Sequence, residues 1–257
     1  MYIKRTNSTN TLLKELIAKG EWPEGEKYIY AGYQTVGRGQ TGNGWESEEG
    51  KNLLCSILIE SRKIKDKSPF YLNVIVSVAV YKVIQSFVFE QSGLLSLSEA
   101  VSIKWPNDIY WQDKKVAGIL IENAIIGNEV KYSIAGIGLN INHTEWKSDA
   151  PNPVSLKQIT GKTYDIEALM QQLYEEVQKA LTEDLWGYYK VHLYRKDGFW
   201  PFVEREVNTA PTTNANADAN GQFMARIQDI LPTGEIVLED QEGQERVYHF
   251  KQVRYIV

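Results

Sequence analysis

The feature that most restricts the fold of this chain is one long apolar segment, residues 68–89 with the sequence SPFYLNVIVSVAVYKVIQSFVF. The segment is rich in β-branched residues, but its length and its start at Ser68 and Pro69 favour a helix over a strand. A helix that is apolar on all sides must be surrounded by other elements. The sequence therefore predicts a buried helix within a large core, for which 257 residues with 43% hydrophobic content are sufficient.

Other segments alternate between helical and strand patterns. Residues 6–20 offer polar N-cap candidates, apolar side chains at helical spacing and Gly20 as a stop, and residues 165–181 are amphipathic, so both segments are predicted to be helices. Short runs rich in β-branched and aromatic residues predict strands. These runs are residues 28–33, 52–60, 101–104, 109–111, 115–122 and 130–141. Together the patterns predict an α+β fold with one mixed or antiparallel sheet and packed helices.

The character of the chain changes after residues 199–207, FWPFVEREV. Residues 208–222 form a polar, low-complexity stretch that is typical of a flexible loop. Short β-runs separated by turn signals follow, as expected of a small barrel. We therefore predict two domains, residues 1–202 and residues 203–257, with the low-complexity loop inside or just before the first hairpin of the barrel.

Charge and composition exclude several classes of protein. Lysine and arginine total 28 against 33 acidic residues, a net charge of -5. Because no basic block stands out, nucleic acid is not expected as a partner. The start of the chain lacks the apolar region of a signal peptide, and no apolar stretch is expected to reach the roughly 18 residues of a membrane span. A cytoplasmic protein without membrane partners is the expectation.

Cysteine and histidine usage argue against thiol and metal chemistry. The single cysteine, Cys55, lies in the apolar run NLLCSILIE, where we expect a buried and unreactive thiol, consistent with a reducing compartment. The three histidines, His143, His192 and His249, have no mutual spacing typical of metal ligands. No metal held by the protein alone is expected.

Three further segments concentrate glycine and polar residues where a core element or a loop would not need them. Residues 33–47, YQTVGRGQTGNGWES, combine four glycines with Arg38, so bare backbone and a guanidinium could hold an anion, although a mobile surface loop has the same composition. Residues 102–122 and 132–142 place polar residues and glycines within strand-like runs. Glycine weakens a strand unless a bulge or a close ligand requires it.

These segments carry a resemblance to a known family. STN at residues 8–10, GRGQTGNGW at 37–45, KWPND at 104–108 with KVAGIL at 115–120, and GIGLNIN at 136–142 occur in the order and spacing found in biotin–protein ligases. The similarity spans nearly the whole chain. It implies a catalytic domain similar to class II aminoacyl-tRNA synthetases and a small C-terminal SH3-like barrel. Because STN lies close to the start, the chain resembles the short class, without the N-terminal DNA-binding domain.

The resemblance implies a two-step reaction. Biotin and MgATP give biotinyl-5′-AMP and pyrophosphate, and a lysine of a biotin carboxyl carrier domain then attacks the mixed anhydride. ATP, Mg²⁺ and biotin are therefore expected as substrates, with no tightly bound prosthetic group. The first step brings a carboxylate against the α-phosphate, so cations must offset the repulsion. The carrier protein, of acetyl-CoA carboxylase or a related carboxylase, and a monomeric or homodimeric state are the expected partners.

Site residues follow by match to the family motifs. Lys115, Arg38 and Asp108 are implied as the catalytic group, with Mg²⁺ near Asp108. Lys115 read alone would be a solvated lysine beside Lys114, Ser8 or Thr9 could simply cap a helix, and Trp45 could be plain core. Implied biotin contacts are Ser8, Thr9, Asn10, Gln34, Gly37, Arg38, Gly39, Gln40, Lys115, Gly118, Gly136 and Gly138. Implied ATP or adenylate contacts are Arg38, Trp45, Asn107, Lys115 and Asn140.

One position departs from the family pattern, and one loop is open to two interpretations. Gln40 stands where a second arginine is usual, which makes retention of the adenylate the property most affected. We predict that the adenylate is still held, by main-chain N–H groups at Gly39 and Gly42, by Arg38 and by the loop around Trp146. That loop, residues 143–157, could fold over the nucleotide or form a disordered connection.

Two other classes of function remain open from the sequence. A lipoate or octanoate ligase shares the catalytic fold and also modifies a carrier lysine. A non-enzymatic biotin-responsive regulator is disfavoured, since no basic DNA-binding domain is present among these residues.

Overall fold

The structure, a computed structural model, describes residues 1–40, 44–60, 63, 68–92, 99–127, 129–147, 152–205 and 221–257. The described residues form two sheets and five helices of at least one turn. The first sheet has seven strands in the order β1-β2-β3-β7-β6-β5-β4. These strands are β1 (Tyr2–Ile3), β2 (Tyr28–Ala31), β3 (Leu53–Glu60), β4 (Val101–Lys104), β5 (Asp108–Trp111), β6 (Lys114–Ile126) and β7 (Glu129–Leu139).

The first sheet is mixed. The edge strand β1 pairs with β2 in parallel, and the other neighbouring strands pair antiparallel. At its centre, Ser56 lies opposite Gly136 in β3 and β7, and Gly118 lies opposite Gly138 in β6 and β7. Because side chains alternate across a strand, Ser56, Gly136 and Gly138 belong to one face and their neighbours to the other.

Helices cover both faces of this sheet. Helix α1 (Thr9–Lys19) packs on one face, where Leu13, Ile29 and Ile134 form a small buried cluster. Helices α2 (Tyr71–Ser92), α3 (Leu156–Thr160), α4 (Ile166–Ala180) and α5 (Trp186–Val191) belong to the larger core on the other side. Local signals agree with these bounds, since Gly20 ends α1 in the left-handed conformation and the Asp165 carboxylate accepts the first backbone N–H groups of α4.

Helix α2 confirms the predicted buried helix and corrects the expectation about membrane-length segments. By length and composition, its window Tyr71–Glu90 could cross a membrane, with a mean hydropathy of 1.8. Within the protein, however, 67% of that window is buried. The expectation that no apolar stretch reaches the length of a membrane span was therefore wrong, because a helix enclosed by a sheet and three other helices can have the same composition as a membrane span.

The second sheet has five antiparallel strands in the order β11-β10-β9-β8-β12. They are β8 (Trp200–Glu204), β9 (Gln222–Ile230), β10 (Ile236–Asp240), β11 (Glu245–Tyr248) and β12 (Val253–Tyr255). The second sheet begins at Trp200, so the predicted boundary at residue 203 falls inside β8. Residues 206–220, which include most of the low-complexity stretch, lie outside the described residues. With its separate C-terminal sheet, the structure confirms the predicted fold class.

The two sheets are fixed to each other by specific contacts. Trp105 donates from Nε1 to the carbonyl oxygen of Gly234 at 2.9 Å, and its ring packs edge-on against Phe250. Arg195 donates from Nη1 to the carbonyl oxygen of Ile256 at 2.6 Å. Apolar side chains from both sheets belong to one continuous core. The barrel is therefore held against the edge of the first sheet where β4 and β5 lie.

Candidate active site

A cavity of about 420 Å³ opens between the α1-facing side of the first sheet and the second sheet. Its walls come from the start of α1, the glycine-containing loop after β2, strands β3 to β7 and the barrel. The predicted site residues that line it are Ser8, Thr9, Asn10, Gln34, Arg38, Gly39, Gln40, Trp45, Asn107, Asp108, Lys115, Gly118, Gly136 and Gly138. Segments distant in the sequence thus meet at one place.

Buried polar side chains form one corner of this cavity. The backbone N–H of Thr9 donates to Gln34 Oε1 at 2.7 Å, and Thr9 Oγ1 lies 3.1 Å from the same oxygen. Ser56 Oγ donates to Asn10 Oδ1 at 2.5 Å and lies 2.8 Å from Thr9 Oγ1. Ser8 occupies the N-cap position of α1, but its side chain makes no capping hydrogen bond. The corner is neutral, and its donors and acceptors are held in fixed positions.

Glycines in β6 and β7 keep the floor of the cavity open. A Cβ atom at Gly136 would overlap the carboxamide of Asn10, and one at Gly118 would lie 2.8 Å from Cζ3 of Trp45. A Cβ atom at Gly138 would overlap the indole of Trp45 in the same way. Any larger residue would therefore displace a cavity side chain. These glycines allow other side chains to approach the backbone closely. The β6–β7 pairing has no bulge at any of the three.

Lys115 is held by its main chain and leaves its ammonium group in the cavity. Its backbone N–H donates to Asn152 O at 2.7 Å, and its carbonyl accepts from Val154 at 3.0 Å. The Lys115 ammonium lies 2.7 Å from Asp108 Oδ2 and 5.7 Å from the ring centroid of Trp45. This pairing sets the lysine apart from the exposed Lys114 beside it.

The loop after β2 brings Arg38 and Gln40 to opposite parts of the rim. Arg38 Nη2 donates to Glu122 Oε2 at 3.2 Å and to Thr11 Oγ1 at 3.1 Å. Gln40 Nε2 donates to Asn107 Oδ1 at 3.3 Å. Gln40 therefore bridges the loop to the KWPND motif with a neutral hydrogen bond. Gly42 lies outside the described residues.

The barrel and the β4 strand add further cations to the cavity. Lys104 donates from Nζ to Tyr110 Oη at 3.0 Å and lies 5.3 Å from the ring centroid of Tyr255. Burial lowers the pKa of Lys104 to about 8, against the opposing attraction of Asp108. Among the described residues, six cationic ones line the cavity: Arg38, Lys104, Lys115, Arg205, Lys251 and Arg254. Asp108 is the one carboxylate among the lining residues that the structure describes.

Two buried polar atoms beside the cavity lack partners among the described residues, the indole N–H of Trp45 and the Oδ1 atom of Asn140. An unpaired buried donor or acceptor costs about 1–3 kcal/mol, so such atoms mark places that suit a ligand. The indole N–H of Trp146 also lacks a partner among the described residues, and its ring packs against that of His143 with centroids 4.2 Å apart. Residues 148–151 of its loop lie outside the described residues, so ordering of that loop on binding stays a prediction.

Two predicted contacts do not line the cavity. Gly37 belongs to the loop after β2, and its carbonyl accepts a hydrogen bond from the Trp45 backbone N–H at 3.0 Å. Asn140 instead reaches the carbonyl of Lys115 with Nδ2 at 3.4 Å. Both residues support a neighbour that does line the cavity.

Several residues that line the cavity or contact its lining were not identified from the sequence; Ser56 and Glu122 contact lining residues, and Arg205, Lys251 and Arg254 line it. Ser56 had one available signal, a hydroxyl in an otherwise apolar buried strand. Glu122 lies two residues beyond the KVAGIL motif, on the Gly118 face of β6. Arg205, Lys251 and Arg254 carried no signal, because only the packing of the barrel brings them to the site. Among the described residues, no group of three or more His, Cys, Asp or Glu side chains could hold a metal ion.

Comparisons with known proteins agree with this architecture. A profile of the biotin/lipoate A/B protein ligase family matches residues 2–140, more than half of the 257 residues. The bifunctional ligase/repressor BirA of Bacillus spizizenii is 30% identical over 250 residues, which cover 94% of this chain and 70% of that protein. A biotin–[acetyl-CoA-carboxylase] ligase of Mycobacterium tuberculosis is 26% identical, with 70% of this chain and 63% of that protein covered.

Solved structures show the same fold. A biotin protein ligase from Aquifex aeolicus in complex with biotin and ATP superimposes with a TM-score of 0.72 at 21% identity, covering 100% of this chain and 98% of that one. A biotin protein ligase from Leishmania major in complex with biotinyl-5-AMP gives a TM-score of 0.64 at 19% identity, covering 96% and 97% of the two chains. With its fold, its motifs and these matches taken together, the chain belongs to the biotin/lipoate A/B protein ligase family.

Proposed function

We propose that this chain is an ATP-dependent biotin–protein ligase. The observation that carries the proposal is the asymmetry of the cavity, which has a neutral hydrogen-bonding corner at Thr9, Gln34 and Ser56 and six cationic residues elsewhere in its walls. A ligand that suits such a site is neutral at one end and anionic at the other. Biotin with ATP, or biotinyl-5′-AMP, has that distribution of charge.

In the first half-reaction, an oxygen of the biotin carboxylate attacks the α-phosphorus of ATP. The bond from that phosphorus to the oxygen bridging to the β-phosphate breaks, and pyrophosphate leaves. Lys115 and Arg38 offset the repulsion between the two anions and the charge that develops in the transition state. Mg²⁺ enters with ATP as part of the substrate, and Asp108 orients the Lys115 ammonium through their 2.7 Å ion pair.

In the second half-reaction, the amine nitrogen of a carrier lysine attacks the acyl carbon of the adenylate. The bond from that carbon to the phosphate oxygen breaks, AMP leaves, and the amine loses a proton. We take the carrier to be a biotin carboxyl carrier domain of a biotin-dependent carboxylase. The chain acts in the cytoplasm, as a monomer or homodimer, without a nucleic-acid partner.

The polar corner favours biotin over lipoate or octanoate. The ureido ring of biotin has two N–H donors and a carbonyl acceptor, which can pair with side chains such as Thr9 and Asn10. The dithiolane of lipoate and the methyl end of octanoate have no such groups and would leave buried polar atoms unpaired. Sites built to hydrogen-bond a ligand reject analogues that lack the partner group.

The proposal is tested by incubating the chain with labelled biotin, MgATP and a biotin-acceptor domain. We expect covalent label on the acceptor, and none when the acceptor lysine is changed to arginine or when ATP is omitted. Parallel reactions with labelled lipoate or octanoate should give none. Failure to label an acceptor that a known ligase does label would refute the proposal.

A gel-shift experiment addresses the absence of a nucleic-acid partner. The chain loaded with biotinyl-5′-AMP should leave random and promoter DNA unshifted. A sequence-dependent shift would favour the regulator instead.

A further inference from the structure

Glu122 lies on the cavity face of β6 but belongs to none of the motifs described above. It follows Gly118 and Leu120 at two-residue intervals, so all three residues share one face of the strand. Its side chain is 28% exposed, and its carboxylate contacts residues from two separate segments, the start of α1 and the loop after β2. Glu122 is thus placed where these two walls of the cavity meet the sheet.

The first contact fixes the orientation of the Asn10 carboxamide. Asn10 donates from Nδ2 to Glu122 Oε2 at 2.7 Å and accepts at Oδ1 from Ser56 at 2.5 Å. An ionised carboxylate only accepts hydrogen bonds, so it requires the NH₂ end of the amide to face it. Gly136 leaves just enough space for this amide. The same Nδ2 also donates to the carbonyl oxygen of Leu120 at the longer distance of 3.4 Å, so Glu122 provides the shorter of the two contacts that set which end of Asn10 faces the corner formed by Ser56 and Thr9.

The second contact fixes the orientation of Arg38. Its hydrogen bonds to described residues all leave from Nη2, to Thr11 and to both oxygens of Glu122 at 3.2 and 3.5 Å. Nε and Nη1 have no hydrogen-bond partner in the described part of the chain. The guanidinium is thus anchored at one nitrogen, and two nitrogens remain for an anionic ligand.

We propose that Glu122 is a positioning residue that couples the two ends of the biotin site, by orienting the Asn10 amide toward the biotin ring and the Arg38 guanidinium toward the biotin carboxylate. This inference rests on the proposed function. One carboxylate serves both residues because the two-residue period of β6 places it between them. Substituting Glu122 alters both ends of the site although it leaves all the groups that contact biotin in place.

The test is equilibrium dialysis with labelled biotin, which requires no turnover. Glu122→Gln keeps the size of the side chain but offers an amide that can present either end to Asn10, and it removes the charge that holds Arg38. We expect biotin affinity to fall about tenfold, the scale of losing a hydrogen bond to a charged group. The midpoint of thermal unfolding should match that of Glu129→Gln, an exposed control on the adjacent strand.

Partner backgrounds separate positioning from a general structural effect. The loss caused by Glu122→Gln should shrink at least about threefold in an Arg38→Ala chain and again in an Asn10→Ala chain, since coupled residues show non-additive effects. An undiminished loss in either background, or a loss under about twofold in the unaltered chain, would overturn the coupling. Absence of biotin binding by the unaltered chain would instead remove the proposed function itself.

Discussion

The seven-stranded sheet presents one face to α1 and the opposite face to α2. Apolar side chains cover the α2 face, whereas polar side chains and glycines lie on the α1 face beside the cavity. Along β3, Cys55, Ile57 and Ile59 enter the large apolar core, whereas Ser56 between them joins the polar corner of the cavity. Along β7, Ala135 and Leu139 are core, whereas Gly136 leaves space for Asn10. Stability and ligand recognition are therefore assigned to alternate residues of the same strands.

Substitution on the cavity face should change chemistry and leave folding intact, and Lys115→Ala is the strongest case. We expect adenylate formation to slow by at least about a hundredfold, the scale of losing one preorganised electrostatic group. Single-turnover formation of biotinyl-5′-AMP measures the effect, with Lys114→Ala as the neighbouring control. Normal adenylation by Lys115→Ala would remove this residue from the mechanism.

Gly136→Ala tests the space on the same face. The added methyl group overlaps the Asn10 amide and displaces it from its hydrogen bonds to Ser56 and Glu122; leaving buried polar groups unpaired costs about 1–3 kcal/mol, so biotin affinity should fall roughly thirtyfold. Gly187→Ala is the matched control, because no atom lies within 4 Å of a Cβ there. Equal affinities for the two variants would show that the glycine floor is not part of the site.

Arg38→Ala should weaken the use of biotin and of ATP together, by about tenfold or more each, because one guanidinium serves both anions as they meet. Initial rates of pyrophosphate release at varied biotin and varied ATP give both values. An effect confined to the carrier domain would contradict this role.

Ile57→Val probes the opposite face. It removes one buried methyl group next to Ser56 in sequence, so unfolding should become easier by about 1 kcal/mol while biotin affinity stays unchanged. Denaturant unfolding and dialysis on the same sample make the comparison. A fall in affinity without a fall in stability would break the proposed division between the faces.

Gln40→Arg is expected to have the smallest effect. Gln40 already reaches Asn107 at 3.3 Å, and Arg38 supplies charge nearby, so the off-rate of biotinyl-5′-AMP should change by less than about tenfold. Stopped-flow release of preformed adenylate measures it. Rapid release from the unaltered chain that Gln40→Arg slows strongly would show that the glutamine permits leakage.

Much of this division could be predicted from the sequence, because local patterns carry it. The length and the Ser68-Pro69 start of an apolar run indicated α2, apolar periodicity indicated α4, and the glycines of GIGLNIN indicated a strand beside a ligand. The residues that sequence analysis missed depend on packing between distant segments. Arg205 and Arg254 reach the cavity only because the second sheet docks against β4 and β5, and no spacing within the chain encodes that distance.

Glu122 illustrates a further limit of sequence interpretation. From the sequence alone, an acidic residue in the exposed half of a long strand looks like any solvent-exposed side chain. Its role depends on the two-residue period continuing past the KVAGIL motif, together with the place where the loop of Arg38 returns to the sheet. Ile121 and Asn123, its neighbours, give no indication of this. The membrane-length apolarity of α2 was missed for another reason: residues 68–89 were interpreted only as a core helix, and composition alone does not record what surrounds a helix.

The single cysteine, Cys55, offers a way to measure ligand binding through its own thiol, without a labelled ligand. Its side chain is 1% exposed within the large apolar core, and burial raises the pKa of its thiol well above the ordinary range. Thiol reagents should therefore modify it only in molecules that have opened. Because a ligand that binds only the folded chain lowers the open population by the factor 1 + [L]/Kd, the modification rate becomes a binding measurement. The rate at which its one thiol is modified thus reports what fraction of the chain has ligand bound.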